Sequence, residues 1–168
     1  MKTIAIILLS ILISGTSFAQ MSKTDSISKV NIKKLDFMIG NWSGNGWILG
    51  RDGKSEFQQT ERIQFKLDST AIIIEGKGIS NGKVIHDALA ILTYDKQKNN
   101  YSFRSYLPSG QNAEFKGELI ANKFHWYPNE NVRYIIWLDD NNNWYETGEY
   151  KRGDTWSQFF EMTLASDD

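Results

Sequence analysis

Residues 57–67 constrain the fold more than any other stretch. Phe57, Gln59, Glu61, Ile63, Phe65 and Leu67 alternate with Gln58, Thr60, Arg62, Gln64 and Lys66. A two-residue period of that length puts the two sets on opposite faces of one long strand, one face mainly apolar and the other wet. Related patterns recur after Trp42 and predict strands over 42–49, 71–79, 84–94, 101–107, 111–120, 123–127, 132–138, 144–150 and 155–164. Between them stand turn signals such as Asp52-Gly53, Asp68-Ser69, Asn81-Gly82, Ser109-Gly110, Pro128-Asn129 and Gly153-Asp154. Gly, Asn and Asp accept the positive φ angles that tight hairpins need. Ten strands joined this way form an antiparallel meander, and so long a meander hides its edges by closing on itself. The predicted fold is all-β: a ten-stranded antiparallel up-and-down barrel preceded by a short N-terminal helical turn. That turn is expected over 33–39, where Leu35, Met38 and Ile39 fall on one side.

Composition agrees with one packed domain. The chain has 168 residues, of which 40% are hydrophobic and only two are proline, enough for a core without metals or disulfides. Basic residues number 19 and acidic residues 20, with no basic run longer than a pair. That excludes the cationic stripe of a nucleic-acid binder. Cysteine is absent, which excludes disulfides, thiolate metal sites, a cysteine nucleophile and a lipid-anchoring cysteine.

The N-terminal residues read as an address. Lys2 is followed by an apolar run over 4–13, and Ser17 and Ala19 occupy the −3 and −1 positions of a cleavage site. The apolar run falls short of the roughly 20 residues that span a bilayer, so stable membrane insertion is not expected. The expected organisation is a signal peptide at 1–19, a polar leader at 20–34 and a barrel domain at 35–168. The expected location is secreted or periplasmic, and the expected state is a monomer or weak dimer.

Several residues are candidates for chemistry. Gln59 and Glu61 lie on the apolar face of the 57–67 strand, and a carboxylate there must find a partner or water. Arg104 and Arg133 are the candidate partners. Glu61 is then a clamp for a ligand, a general base with a raised pKa, or half of a structural ion pair. Residues 85–94 have two possible phases. Either His86, Ala88, Ala90, Leu92 and Tyr94 face inward, or Ile85, Asp87, Leu89, Ile91 and Thr93 do. Tyr134 alternates with Val132, Ile136 and Leu138, while Gln158 alternates with Trp156, Phe160 and Met162. Such polar tips among aromatics suit a small-molecule pocket or an ordinary core. Glu146 and Glu149 point to opposite strand faces and cannot pair with each other. Asp139, Asn141 and Asn143 mimic the start of a calcium loop, but Trp144 replaces its glycine and Tyr150 its final acid. No phosphate loop, nucleophile elbow, zinc-helix motif or dinucleotide fingerprint occurs. No metal site is expected.

Residues 35–47 (LDFMIGNWSGNGW) resemble the Gly-x-Trp start of a bacterial lipocalin-like (calycin) β-barrel family, distantly related in architecture to nitrobindin. The resemblance runs from about residue 35 to 164 and includes 86–90 (HDALA), 103–107 (FRSYL) and 156–162 (WSQFFEM). It implies that Trp42 plugs the closed end, with Gly40, Gly44 and Gly46 permitting bends and close backbone approach. A basic side chain often covers this Trp in lipocalins, and Arg152 is the possible counterpart. Nitrobindin-type barrels hold haem through a histidine. Here only His86 and His125 exist, neither near the C-terminal strand where the resemblance would place the ligand. No cofactor is expected.

Three readings of function follow. The favoured one is an exported barrel that binds a small, mostly apolar molecule through Gln59, Glu61, His86, Arg104, Tyr134 and Gln158. The second is a barrel enzyme doing acid–base chemistry (an isomerase, cyclase or hydrolase) with Glu61 or His86 as base and Arg104 or Tyr134 stabilising negative charge. The third is an envelope interaction module without a ligand, marked by an exposed apolar patch such as Phe159, Ile135 and Trp137.

Overall fold

The computed structural model describes residues 23–167. The expected signal peptide at 1–19 and the start of the leader lie outside the described residues. A helix, α1 (Ser26–Lys33), and one 3₁₀ turn (Asp36–Met38) precede ten strands. The strands are β1 (Gly40–Gly50), β2 (Gly53–Lys66), β3 (Ala71–Ser80), β4 (Lys83–Asp95) and β5 (Asn100–Tyr106). They continue as β6 (Asn112–Ile120), β7 (Lys123–Asn129), β8 (Val132–Leu138), β9 (Trp144–Arg152) and β10 (Thr155–Ser166). Every strand pairs antiparallel with its sequence neighbour, and β1 pairs with β10 to close the barrel. Closure leaves no open sheet edge.

The helical turn anticipated at 33–39 is present as the 3₁₀ turn, but the longer helix lies earlier, inside the polar leader. Side-chain chemistry explains that position. Asp25 caps α1 by accepting from the backbone N–H groups of Ile27 and Ser28. Asp25 also pairs with Lys96 in the β4–β5 turn, while Lys29 and Thr24 both reach Asp68 in the β2–β3 turn. These ties hold α1 across one end of the barrel. Ile32, Leu35 and Met38 are fully buried there, so a segment of polar composition still delivers three apolar side chains to the core.

Trp42 completes this floor. Its indole N–H donates to the Met38 carbonyl at 3.0 Å, and its ring lies 6.1 Å from Trp144. The expected basic cover does not form. The Arg152 guanidinium lies over Tyr150 instead, 4.8 Å from the ring, because β9 carries Arg152 away from the floor to the opposite end of the barrel. Gly44 sits where β1 crosses β10 closely: a Cβ there would lie 2.1 Å from the Thr163 carbonyl oxygen. Only glycine allows the seam at that separation.

Candidate functional site

Above the Trp42 floor the barrel encloses a cavity of about 280 Å³, near the small end of the roughly 300–1,000 Å³ usual for ligand pockets. The alternation of β2 turns Phe57, Gln59, Glu61 and Ile63 inward, and all four are buried. Opposite them on β3, register sets Gly76 beside Glu61 and Gly78 beside Gln59. Those glycines make the room. A Cβ at position 76 would meet the Glu61 carboxylate at 2.6 Å, and one at 78 would meet the Gln59 amide oxygen at 2.6 Å.

The same register resolves the two phases of β4. Gly78 faces His86, Gly76 faces Ala88 and Ile74 faces Ala90, so the small side chains of β4 line the lumen. A register shift between Gly78 and Ile79 lets Ile85 reach the mouth as well. His86 stands at the mouth and meets solvent. Loss of hydration among the surrounding walls still lowers its pKa, with Asp87 opposing.

Glu61 is only 8% exposed. One carboxylate oxygen accepts from the Gln59 amide at 2.7 Å, and the other, Oε2, has no hydrogen-bond partner. Burial pushes its pKa up to about 7, the Gln59 bond acting in the opposite direction. Across the lumen lies a second acid. Glu146 on β9 is 7% exposed and accepts from the Trp144 indole N–H at 3.3 Å. Burial and then the charge of Glu61 push its pKa up to about 8. Comparing Glu146 only with Glu149 missed this pair. The available signal was its shared strand phase with Trp144 and Gly148, both buried.

Aromatic rings form one wall. Trp126 stacks on Tyr134 at 4.4 Å and on Phe103 at 4.9 Å. Burial, followed by the charge of Glu146, pushes the Tyr134 phenol up to about 12.

Two expected site residues lie elsewhere. Arg104 is on the outer face, paired with Glu114 at 2.6 Å, because Phe103 and Ser105 take the lumen side of β5. It reaches neither Glu61 nor a ligand in the cavity. Gln158 also points outward, donating to Glu161 at 2.8 Å. A bulge between Gln158 and Phe160 breaks the alternation there and brings both Phe159 and Phe160 against Tyr134, at 5.7 and 5.5 Å.

Arg133, the other candidate partner of Glu61, pairs outside with Glu149 at 2.6 Å and covers Trp156. Among the described residues the cavity lining contains no lysine or arginine. His125 lies beside Tyr127, away from the lumen. The anticipated patch of Phe159, Ile135 and Trp137 does not form: Phe159 turns inward, Ile135 is buried and Lys123 covers Trp137. Some exposed apolar side chains, Ile48, Leu49, Ile79, Val84, Ile85 and Leu107, lie toward the mouth end, and others, such as Leu67 and Ile120, lie elsewhere.

Chemically, the lumen is an apolar cup with two acids, one amide, one phenol and one serine hydroxyl, and an imidazole at its mouth. It can accept hydrogen bonds deep inside and exchange protons near neutral pH. Among the described residues no group of three or more metal-binding side chains occurs, and no helix is long and apolar enough to cross a membrane.

No protein-family model and no curated protein matches the chain. Solved structures do. Rv2717c from M. tuberculosis is 11% identical with a TM-score of 0.59, over 82% of this chain and 97% of that one. The S-type phycobiliprotein lyase CPES from Guillardia theta is 12% identical with a TM-score of 0.56, over 87% of this chain and 98% of that one. At such identities the likeness is one of fold: the chain has a closed, ten-stranded, lipocalin-like barrel.

Proposed function

We propose that this chain is an exported lipocalin-like barrel that takes a small, mostly apolar molecule into its lumen. One observation carries the reading: a cavity of about 280 Å³, lined mainly by apolar side chains, whose wall includes a buried carboxylate with one unpartnered oxygen. A buried acceptor without a donor costs on the order of 1–3 kcal/mol, and a ligand supplying the donor would recover it. The phycobiliprotein lyase adds an analogy at the level of fold only. Export rests on the sequence pattern of residues 1–19.

The test is binding of N-phenyl-1-naphthylamine, followed by fluorescence, to protein recovered after expression of the full chain in a bacterial periplasm. The expected result is one saturable site, lost in Ala88→Phe, which fills the lumen without touching the floor. A retained mass in native mass spectrometry would identify the natural ligand. Unsaturable binding, or equal binding by the filled variant, overturns the reading.

Acid–base catalysis remains the second reading, favoured by the two acids with pKa values raised toward neutrality. Arg104 has no part in it. Incubating a recovered ligand with the protein and following its mass decides the matter. Conversion that stops in a Glu61→Gln variant still able to bind supports catalysis; an unchanged ligand removes it.

A further inference from the structure

We propose that the lumen selects organic cations: lipophilic amines or amidines whose charged nitrogen sits at depth between Glu61 and Glu146. The inference deepens the small-molecule reading and rests on it. Three features of the cavity point the same way. Two carboxyl groups stand at depth: Glu61, whose Oε2 has no partner while its other oxygen accepts from the Gln59 amide, and Glu146, which accepts from the Trp144 indole. Among the described residues no lysine or arginine lines the cavity to neutralise them. The two arginines nearest in sequence pattern are both spent on outer-face acids, Arg104 on Glu114 and Arg133 on Glu149.

An acidic pair walled by aromatics favours a cation on two counts. Charge-assisted hydrogen bonds to carboxylates are stronger than neutral ones, and ring faces near a cation attract it further. A metal ion fits less well, because two carboxylates and one amide fall short of the about six to eight oxygens that calcium takes. Ile48 and Ile85 at the mouth, with Phe57 and Phe160 below them, would hold the hydrocarbon body.

Proton balance makes the idea specific. The titratable groups facing Glu61 within the lumen are Glu146, Tyr134 and, at the mouth, His86; β1 and β3 beside it present Trp42 and Gly76. At about pH 6 burial keeps the two carboxyls largely protonated. An ammonium entering the site displaces a proton to solvent, and the carboxylate formed pairs with the ligand. Amine affinity must therefore rise with pH between about 6 and 8, while that of a neutral ligand does not.

The test compares three molecules with one ring system: 1-naphthylmethylamine, 1-naphthylmethanol and 1-naphthylacetate. Each is titrated against the protein by calorimetry in buffers of differing ionisation enthalpy, which also counts protons released. The expected order at about pH 8 is amine tighter than alcohol by about tenfold or more, with the acetate weakest. Glu61→Gln and Glu146→Gln, checked for fold by circular dichroism, should each reduce the amine preference and leave the alcohol within about threefold.

Equal affinities for the three, or tightest binding of the acetate, overturn cation selectivity while leaving the lumen reading intact. Failure of all three to bind while N-phenyl-1-naphthylamine still does has the same meaning. Failure of that reporter too removes both readings.

Discussion

Replacing Glu61 by Gln should make the protein more stable above neutral pH and change it much less in mild acid. The sign follows from where the protons sit. In the unfolded chain Glu61 ionises near 4.5, and in the folded protein near 7. The folded state therefore keeps its proton over a range in which the unfolded state has released it. Stability is greatest below the unfolded value, falls as pH rises towards 7 and is flat beyond. At about 1.4 kcal/mol per pH unit, the rise corresponds to about 3 kcal/mol lost by alkaline pH. Glu146, which rises to about 8, loses stability over a wider range, and part of that loss comes from the charge of Glu61. The amide of the Glu61→Gln variant cannot ionise, so the variant escapes the first loss and some of the second. Urea unfolding followed by tryptophan fluorescence would be run on both proteins from about pH 5 to about pH 9. The expected difference grows from about 1 kcal/mol or less to about 3 kcal/mol in favour of the variant. Surface acids such as Asp68, Asp95 and Glu114 have lowered pKa values. Their contribution is lost only as pH falls below the ordinary carboxylate range, and it cancels between the two proteins. A difference independent of pH, or a variant less stable at about pH 9, would refute the argument that burial governs this acid.

Two further outcomes follow from the packing. Trp42→Phe removes the indole N–H and leaves the Met38 carbonyl without its 3.0 Å partner at the floor; urea unfolding should show a loss of about 1–3 kcal/mol. Gly44→Ala puts a methyl 2.1 Å from a backbone oxygen of β10, and backbone cannot swing aside as a side chain can. Overpacking there should cost about 3 kcal/mol or prevent closure, read as a lowered thermal midpoint or loss of the β signal in circular dichroism.

The strands were legible because a barrel wall imposes a two-residue period, and β2 carries that period without interruption from Phe57 to Phe65. Side-chain direction was less legible wherever both phases of a strand were apolar. On β4, Leu89 and Ile91 are as hydrophobic as the residues that face inward, yet both are exposed. Their rejection from the core comes from β3, where Gly76 and Gly78 leave space for the β4 side chains opposite, and a single strand carries no trace of its partner's register. Gln158 was misplaced for a different reason. Parity with Phe160 holds only on an unbroken strand, and the bulge at Phe159 resets it. The arginines were assigned to Glu61 by charge, but charges on both walls found nearer partners outside. Glu146 shows the reverse error, since pairing was sought along one strand when the partner stood across the lumen.

Gly76 has a consequence beyond space. Its missing side chain and the Glu61 carboxylate occupy one volume between them. Unlike the seam at Gly44, the atoms met at position 76 end a flexible side chain, so a methyl there would evict the carboxylate from its bond with Gln59 rather than open the barrel. One chemical feature is thus written at two places, on neighbouring strands. A barrel that keeps Glu61 and fills position 76 retains the acid and loses its seat. Retuning the lumen in small steps must therefore follow an order, with Glu61 shortened first and position 76 enlarged afterwards.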